Sequence, residues 1–349
     1  MSFSRRVLLQ LTGAHALAPA IRSLGRGLVS IVTLHRFADP RHATAGHDPA
    51  ALRDHLAYLR RHRYRLLGLT DVLDLLERGV NDSATPAVVF TVDDGYSDFA
   101  HIGAPIFAEY DCPVTLFVTT GFLDGAVWLW WDRVAWLLGQ TSRSSVTVEL
   151  ASDVFQYSWS SPEERAQVQY HMIHRLELID GPARDFAIAT LARQCDVALP
   201  ERAPPEFAPM TWDELRHTAD LGVTFGPHTV THRILSLATQ EGCEWEIRES
   251  WRRLGQETTA VVPVFAYPNG GARAFGARER DAVQRAGLHA AVTTVPGHAV
   301  PQSAAGAHIR AGRFALPRFP YPDDRPHVVH IAAGLGRFTH PLQRARLPT

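Results

Sequence analysis

Two hydrophobic patterns alternate along most of the chain. GLVSIVTL (27–34), AVVFTV (87–92), PVTLFV (113–118), VTFGP (223–227), VVPVFA (261–266) and HAAVTTV (289–295) are short apolar runs rich in β-branched residues. Such runs read as strands buried on both faces. Between them lie segments whose apolar residues recur every three to four positions, the signature of helices packed on one face. These are DPAALRDHLAYLRRHR (48–63), TDVLDLLERG (70–79), IGAPIFAEYD (102–111), TWDELRHTADLG (211–222), EWEIRESWRRLGQET (244–258) and RERDAVQRAG (278–287). Asp48 is placed to cap the first, with Pro49 in its first turn. Thr70 reads as the cap of the second and Gly79 as its stop. Strands alternating with helices imply a parallel sheet covered by helices. About seven strand–helix steps point to an α/β fold of the (β/α) barrel kind, with its chemistry at the C-terminal ends of the strands.

The rhythm lapses between about residues 122 and 209. WLWWDRVAWLL (128–138) is aromatic, SVTVEL (145–150) reads as a short strand, and a helix is predicted over 161–179, opened by Ser161 and Pro162. This stretch is read as a central insertion that caps the barrel. The rest of 27–345 is read as one domain, preceded by an N-terminal segment, 1–26. In that segment Arg5 and Arg6 precede an apolar stretch interrupted by Gln10, Gly13 and His15. It resembles a signal peptide faintly and an amphipathic surface helix somewhat better. No apolar run approaches the roughly 20 residues needed to cross a bilayer. The expectation is a cytoplasmic or membrane-peripheral protein, with secretion as the alternative.

Composition removes several classes of function. The 349 residues carry 35 basic and 36 acidic groups, a formal net charge of −1, without the basic excess that nucleic acid demands. Every basic residue is Arg; the absence of Lys excludes Schiff-base chemistry and phosphate-loop lysines. Three widely spaced cysteines, Cys112, Cys195 and Cys243, form no CxxC pair and read as buried free thiols. Oligomeric state is left open.

The candidate chemistry sits at strand ends. Asp93 and Asp94 follow AVVFTV and precede Gly95. Adjacent carboxylates after a buried strand are costly unless neutralised, and in extended backbone they point opposite ways. One could hold a metal while its neighbour faces a substrate; an ordinary surface turn is the competing reading. His228 and His232, in GPHTVTH, are spaced i, i+4, which would put both imidazoles on one face of a helical turn and suits a divalent ion such as zinc. One Asp and two His leave coordination open, as in a catalytic rather than a structural site. FAYPNGG (265–271) makes a tight turn whose N–H groups can face an oxyanion.

TVDDG, HTVTH and FAYPNG, in that order, resemble the first three motifs of the polysaccharide deacetylases of carbohydrate esterase family 4, which carry the NodB homology domain. The resemblance covers roughly residues 28–300, less the central insertion. It implies a distorted (β/α) barrel and a metal-dependent hydrolase that removes acetyl groups, N-acetyl groups of amino sugars foremost, from an exopolysaccharide or cell-envelope glycan. By that resemblance Asp93 is the general base, Asp94, His228 and His232 hold a divalent ion such as Zn2+, and the N–H of Asn269 supports the oxyanion. Tyr267, Pro268, Trp131 and Asp132 are the predicted substrate contacts, since aromatic faces stack on sugars.

Two departures stand out. Many members have an Arg in the third motif that orients the base; here Ala266 stands there, and an Arg from elsewhere would have to serve. A late Leu-x-His motif supplies the general acid in the family; here LPRF (316–319) occupies that stretch without a His. The candidates for the acid are His35, at the end of the first strand, then His298, His327 and His330. A branch of exopolysaccharide deacetylases with FAYPNG-like third motifs shows similar losses, and this chain resembles that branch. The alternative reading is a catalytically impaired glycan-binding homologue. An amidohydrolase-type barrel is disfavoured, because no HxH follows the first strand and there is no Lys to bridge metals.

Overall fold

The computed structural model describes residues 15–78, 85–150, 153–299 and 312–335. Its strands are β1 (Val29–Leu34), β2 (Arg65–Leu67), β3 (Ala87–Asp94), β4 (Val114–Val118), β5 (Ser145–Leu150), β6 (Asp153–Ser158), β7 (Val223–Pro227), β8 (Val264–Ala266), β9 (Ala290–Val292) and β10 (Phe319–Pro320). A parallel sheet runs in the order β10-β1-β3-β4-β7, with β2 beside the first half of β3. β8 pairs with β9, also in parallel. Two isolated parallel bridges join these sheets into a ring: Phe225 to Val261 ahead of β8, and Val292 to Leu316 ahead of β10. The staves are β1, β3, β4, β7, β8, β9 and β10. The ring is distorted, since the last three strands are two or three residues long and the β7–β8 and β9–β10 junctions are single bridges.

The alternation of side chains explains why β1, β3 and β4 are buried at every position. Val29, Ile31, Ala87, Val89, Phe117, Val264, Ala266, Ala290 and Val292 share one cluster, the barrel interior. Their alternates Val32, Leu34, Val88, Phe90, Val92, Leu116 and Val118 pack outward, against helices such as Pro49–Arg61. Leu69, Val72, Leu73 and Leu76, on the helix Leu69–Arg78, join the interior cluster.

Helix boundaries follow local capping. Asp48 accepts from Ala50 N–H, Ser161 caps Pro162–Leu176, and Thr211 forms a capping box with Glu214 ahead of Trp212–Asp220. Thr70 is not a cap. The helix already begins at Leu69, and the Asp71 carboxylate accepts the N–H of Gly68 instead. Gly79 lies outside the described residues, as do residues 1–14 of the N-terminal segment. The helix Ala18–Leu24 packs through Ala18, and Arg22 donates to the carbonyl of His62.

Between β4 and β7 the chain builds its own apolar cluster. The antiparallel pair β5–β6 and the helices Trp130–Gln140, Pro162–Leu176 and Gly181–Cys195 enclose Val134, Leu137, Met172, Ile188 and Leu191. Among the described residues no helix is long and apolar enough to cross a membrane.

Candidate active site

Asp93 continues the inward-facing series of Ala87, Val89 and Thr91, so its carboxylate points into the top of the barrel. There it meets Arg318, a wholly buried side chain whose two terminal nitrogens donate to the two Asp93 oxygens, each at 2.7 Å. The same guanidinium donates to the Thr293 carbonyl at 2.9 Å and the Thr91 hydroxyl at 3.0 Å. Burial alone would raise the Asp93 pKa; the Arg318 charge, its hydrogen bonds and the neighbouring imidazoles of His228 and His35 together outweigh it and hold the carboxyl well below the usual range. Asp93 is therefore ionised and fixed in orientation. Arg318 is the Arg from elsewhere that Ala266, standing in the third motif, calls for.

Asp94 departs from the alternation. Its φ of +80° lies in the left-handed region that Asp tolerates better than most residues, and its carboxylate meets two imidazoles. His232 Nε2 stands 3.3 Å and His228 Nε2 3.6 Å from Asp94 Oδ1. His228 and His232 do not share a helical turn. β7 ends at Pro227, and the loop after it bends through positive φ at Thr229 and His232, folding both rings onto Asp94. That loop is pinned by Glu246, a buried carboxylate on the helix Gln240–Glu257, which accepts from Val230 N–H at 2.8 Å, Thr231 N–H at 3.0 Å and the Thr231 hydroxyl.

The three side chains fit a divalent cation. One ligand atom from each lies within 4.8 Å of the others. Asp94 Oδ1 and His232 Nδ1 are buried without a hydrogen-bond partner, which is costly unless something supplies one. His228 Nδ1 lies 2.8 Å from the Ala266 carbonyl; a carbonyl only accepts, so Nδ1 carries the hydrogen and Nε2 keeps its lone pair. Burial lowers the His228 pKa to about 4, so the ring is neutral, as a ligand must be. Replacing His232 with Ala should remove most of the bound metal, because two ligands rarely hold an ion. Metal content after dialysis checks this; full retention would exclude the site.

The cleft over these residues has a volume of about 480 Å³ and is also lined by His35, Arg36, Tyr96, Trp131, Glu177 and Asn269. His35 follows β1; its side chain is 51% exposed, with Nε2 3.9 Å from Asp93. Asn269 has φ +61° and donates from its side chain to Glu177 at 2.5 Å. Gly270 is required beside it, since a Cβ there would stand 2.7 Å from the Thr294 nitrogen. Trp131 and Asp132 come from the helix Trp130–Gln140. The Trp131 ring sits edge-on to His232 at 4.6 Å, and its indole N–H donates to the Tyr96 hydroxyl at 3.0 Å. Tyr96 in turn donates to Asp132 at 2.6 Å, while Arg36, paired with Asp98, lies 3.8 Å over the Tyr96 ring.

Not every predicted residue reaches the cleft. Tyr267 is wholly buried on the outer side of β8, stacked on Phe275 and donating to the Phe314 carbonyl. Pro268 is buried beside it and does not line the cleft. His298 contacts the Ile331 carbonyl, His327 caps back onto Asp324, and His330 lies on the helix Arg325–Ala332; none lines the cleft. Arg318, Glu246, Tyr96 and Glu177 were not among the predicted site residues. A larger groove of about 820 Å³, lined by Arg280, Asp281 and Arg313 among others, carries none of this constellation.

A family model described as polysaccharide deacetylase matches residues 81–291, which spans both the Asp93–Asp94 and the His228–His232 motifs. The chain belongs to the polysaccharide deacetylase family. A search of curated proteins finds no match. Among solved structures, the Streptococcus pyogenes deacetylase PplD is 17% identical with a TM-score of 0.55, over 87% of this chain and 98% of its own. IcaB from Ammonifex degensii is 15% identical with a TM-score of 0.51, over 88% and 97%. A de-N-acetylase from Aggregatibacter actinomycetemcomitans is 13% identical with a TM-score of 0.50, over 84% and 95%. At these identities the likeness is one of fold, the distorted barrel.

In the deacetylase the carboxyl of Asp132 is displaced upward, opposite to Asp93 and Asp94. Burial raises its pKa to about 7, against the opposing pull of the Tyr96 hydrogen bond and the Arg36 charge. A carboxyl whose pKa is raised on folding binds its proton more tightly in the native state. Stability therefore falls as pH rises from the ordinary 3.8 to about 7 and is level above that. Asp132→Asn should gain on the parent protein across that window, by no more than about 4 kcal/mol, judged from three pH units at about 1.4 kcal/mol each. Thermal melts of metal-free protein at intervals from pH 4 to 8 measure it. A gain that does not change with pH would contradict the assignment.

Proposed function

We propose that the chain hydrolyses N-acetyl groups on amino-sugar units of an exopolysaccharide or cell-envelope glycan, using one divalent ion, zinc or a similar transition metal, held by Asp94, His228 and His232. The observation that carries the reading is the sorting of two adjacent carboxylates. Asp93 is locked on Arg318, and Asp94 is turned by its positive φ onto two neutral imidazoles. A divalent ion at that site supplies Lewis-acid polarisation of the acetyl carbonyl and activation of water.

The chain's own residues do the rest. Asp93 accepts a proton from the attacking water; held far below the usual carboxylate range, it is a weak base and acts through its fixed position. The N–H of Asn269, at the turn that Gly270 permits, supports the developing oxyanion. Trp131 offers a ring face and edge to the sugar, and Asp132, in line with Tyr96, a group for a hydroxyl. His35, exposed at the cleft rim and near Asp93, returns a proton to the leaving amine. The Aggregatibacter relative is a de-N-acetylase, and the reading brings that bond type to this chain.

Acetate release from oligomers of N-acetylated amino sugar, compared with an O-acetylated glycan, tests the bond type. The amide should be the better substrate; release from the ester alone would reverse the assignment. His35→Ala adds a sharper comparison, since an amine leaves poorly unless protonated and an activated alkoxide does not need the proton. The variant should keep its metal, lose about 100-fold or more on the amide, and lose far less on an activated acetate ester. Equal losses on both would give His35 a positioning role.

A further inference from the structure

Behind the metal-ligand loop lies a second pocket, of about 430 Å³, that shares only Trp130 with the catalytic cleft. Three arginines line it, and two have acids of their own: Arg133 pairs with Asp185 and Arg233 with Asp180, each at 2.7 Å. The third, Arg184, is 5% exposed, and its Nε is buried with no hydrogen-bond partner. Its guanidinium lies over the Trp130 ring, 4.7 Å from the centroid, and no acid stands within salt-bridge distance of it among the described residues. Two acids also line the pocket, and both are engaged: Glu246 with the Val230 and Thr231 N–H groups, Asp185 with Arg133.

Arginine does not shed its charge in a protein, so a guanidinium this buried with no carboxylate in contact is a standing cost, which Asp185 and Asp180 offset only from a distance. Burial weakens its hold on the proton in the same sense. A counter-ion entering from the pocket removes that cost. The other walls indicate what would carry the anion. Trp245 is 44% exposed at the rim, and Trp128 presents a buried indole N–H with no acceptor. Aromatic faces stack on sugar rings, and an indole N–H donates to a hydroxyl.

We propose that this pocket binds a sugar unit bearing one oxyanion, a carboxylate or a phosphate, with Arg184 as its counter-ion and Trp245 as its stacking face. A chain crossing Trp130 could place such a unit beside an acetylated one, so the pocket would select acidic glycans. The binding claim itself does not rest on hydrolysis, since none of Asp93, Asp94, His228 or His232 lines the pocket.

Tryptophan fluorescence of the full chain, titrated with glucuronate, glucose 6-phosphate and neutral glucose, tests it. At least one anionic sugar should give a saturable change that glucose does not give, and the tighter of the two names the oxyanion. Arg184→Gln should weaken that binding by about ten-fold or more, the worth of a charge-assisted hydrogen bond. Trp245→Ala, at an exposed site, should weaken it several-fold and decides the matter if Arg184→Gln fails to fold. Absence of binding by both anionic sugars, equal binding of glucose, or unchanged binding in either folded variant would overturn the proposal.

Discussion

Replacing Arg318 with Met should destabilise the protein by about 3–5 kcal/mol and abolish acetate release. Met roughly fills the volume, but Asp93 is left as a buried carboxylate whose partner has gone, and breaking a buried ion pair from one side carries a penalty of that size. Burial then acts on Asp93 unopposed by its main partner, so the pKa rises. A carboxyl with a raised folded pKa stabilises the native state at low pH and loses that contribution as pH rises. The deficit of Arg318→Met should therefore be larger at pH 8 than at pH 5. Adding Asp93→Asn should recover much of the stability and none of the activity, because the pair is coupled. Denaturant unfolding of the two single variants and the double variant measures all three statements. Additive losses would show that the pair does not act as one.

Asp93→Asn alone should keep its metal and lose about 100- to 10,000-fold in turnover, the usual cost of removing a general base. A carboxamide can still accept from Arg318 through its oxygen, so the fold should survive with a moderate loss. It cannot take the proton of water. Acetate release at neutral pH, alongside metal content, separates the two effects. Turnover near that of the parent protein would remove Asp93 from the chemistry.

The barrel was legible in the sequence because its strands are continuous apolar runs and its helices carry strong caps. The paired acids were legible because a buried strand that ends in Asp93 and Asp94 needs a reason. Their separation into two roles was half legible. Alternation points Asp93 inward, but the turn of Asp94 rests on a positive φ that spacing cannot announce. The same limit applies to His228 and His232. An i, i+4 spacing suits one turn of helix, yet Thr229 and His232 take left-handed backbone, and the loop is held by Glu246, fourteen or more residues away. Arg318 was hidden by distance, 225 residues from the carboxylate it holds. LPRF drew notice for the His it lacks rather than for the Arg it contains. Tyr267 was the avoidable error. Val262, Val264 and Ala266 face the barrel interior, so period-two alternation sends Phe265 and Tyr267 outward to the helices.

The central claim is that one divalent ion at Asp94, His228 and His232, served by Asp93, removes acetyl groups from a glycan. Acetate release by chelator-stripped protein, followed as metal is titrated back, tests it most directly. Stripped protein should release negligible acetate and recover fully at about one ion per chain, with no recovery in His232→Ala at the same metal concentration. Undiminished release from stripped protein, or equal recovery in His232→Ala, would contradict the claim.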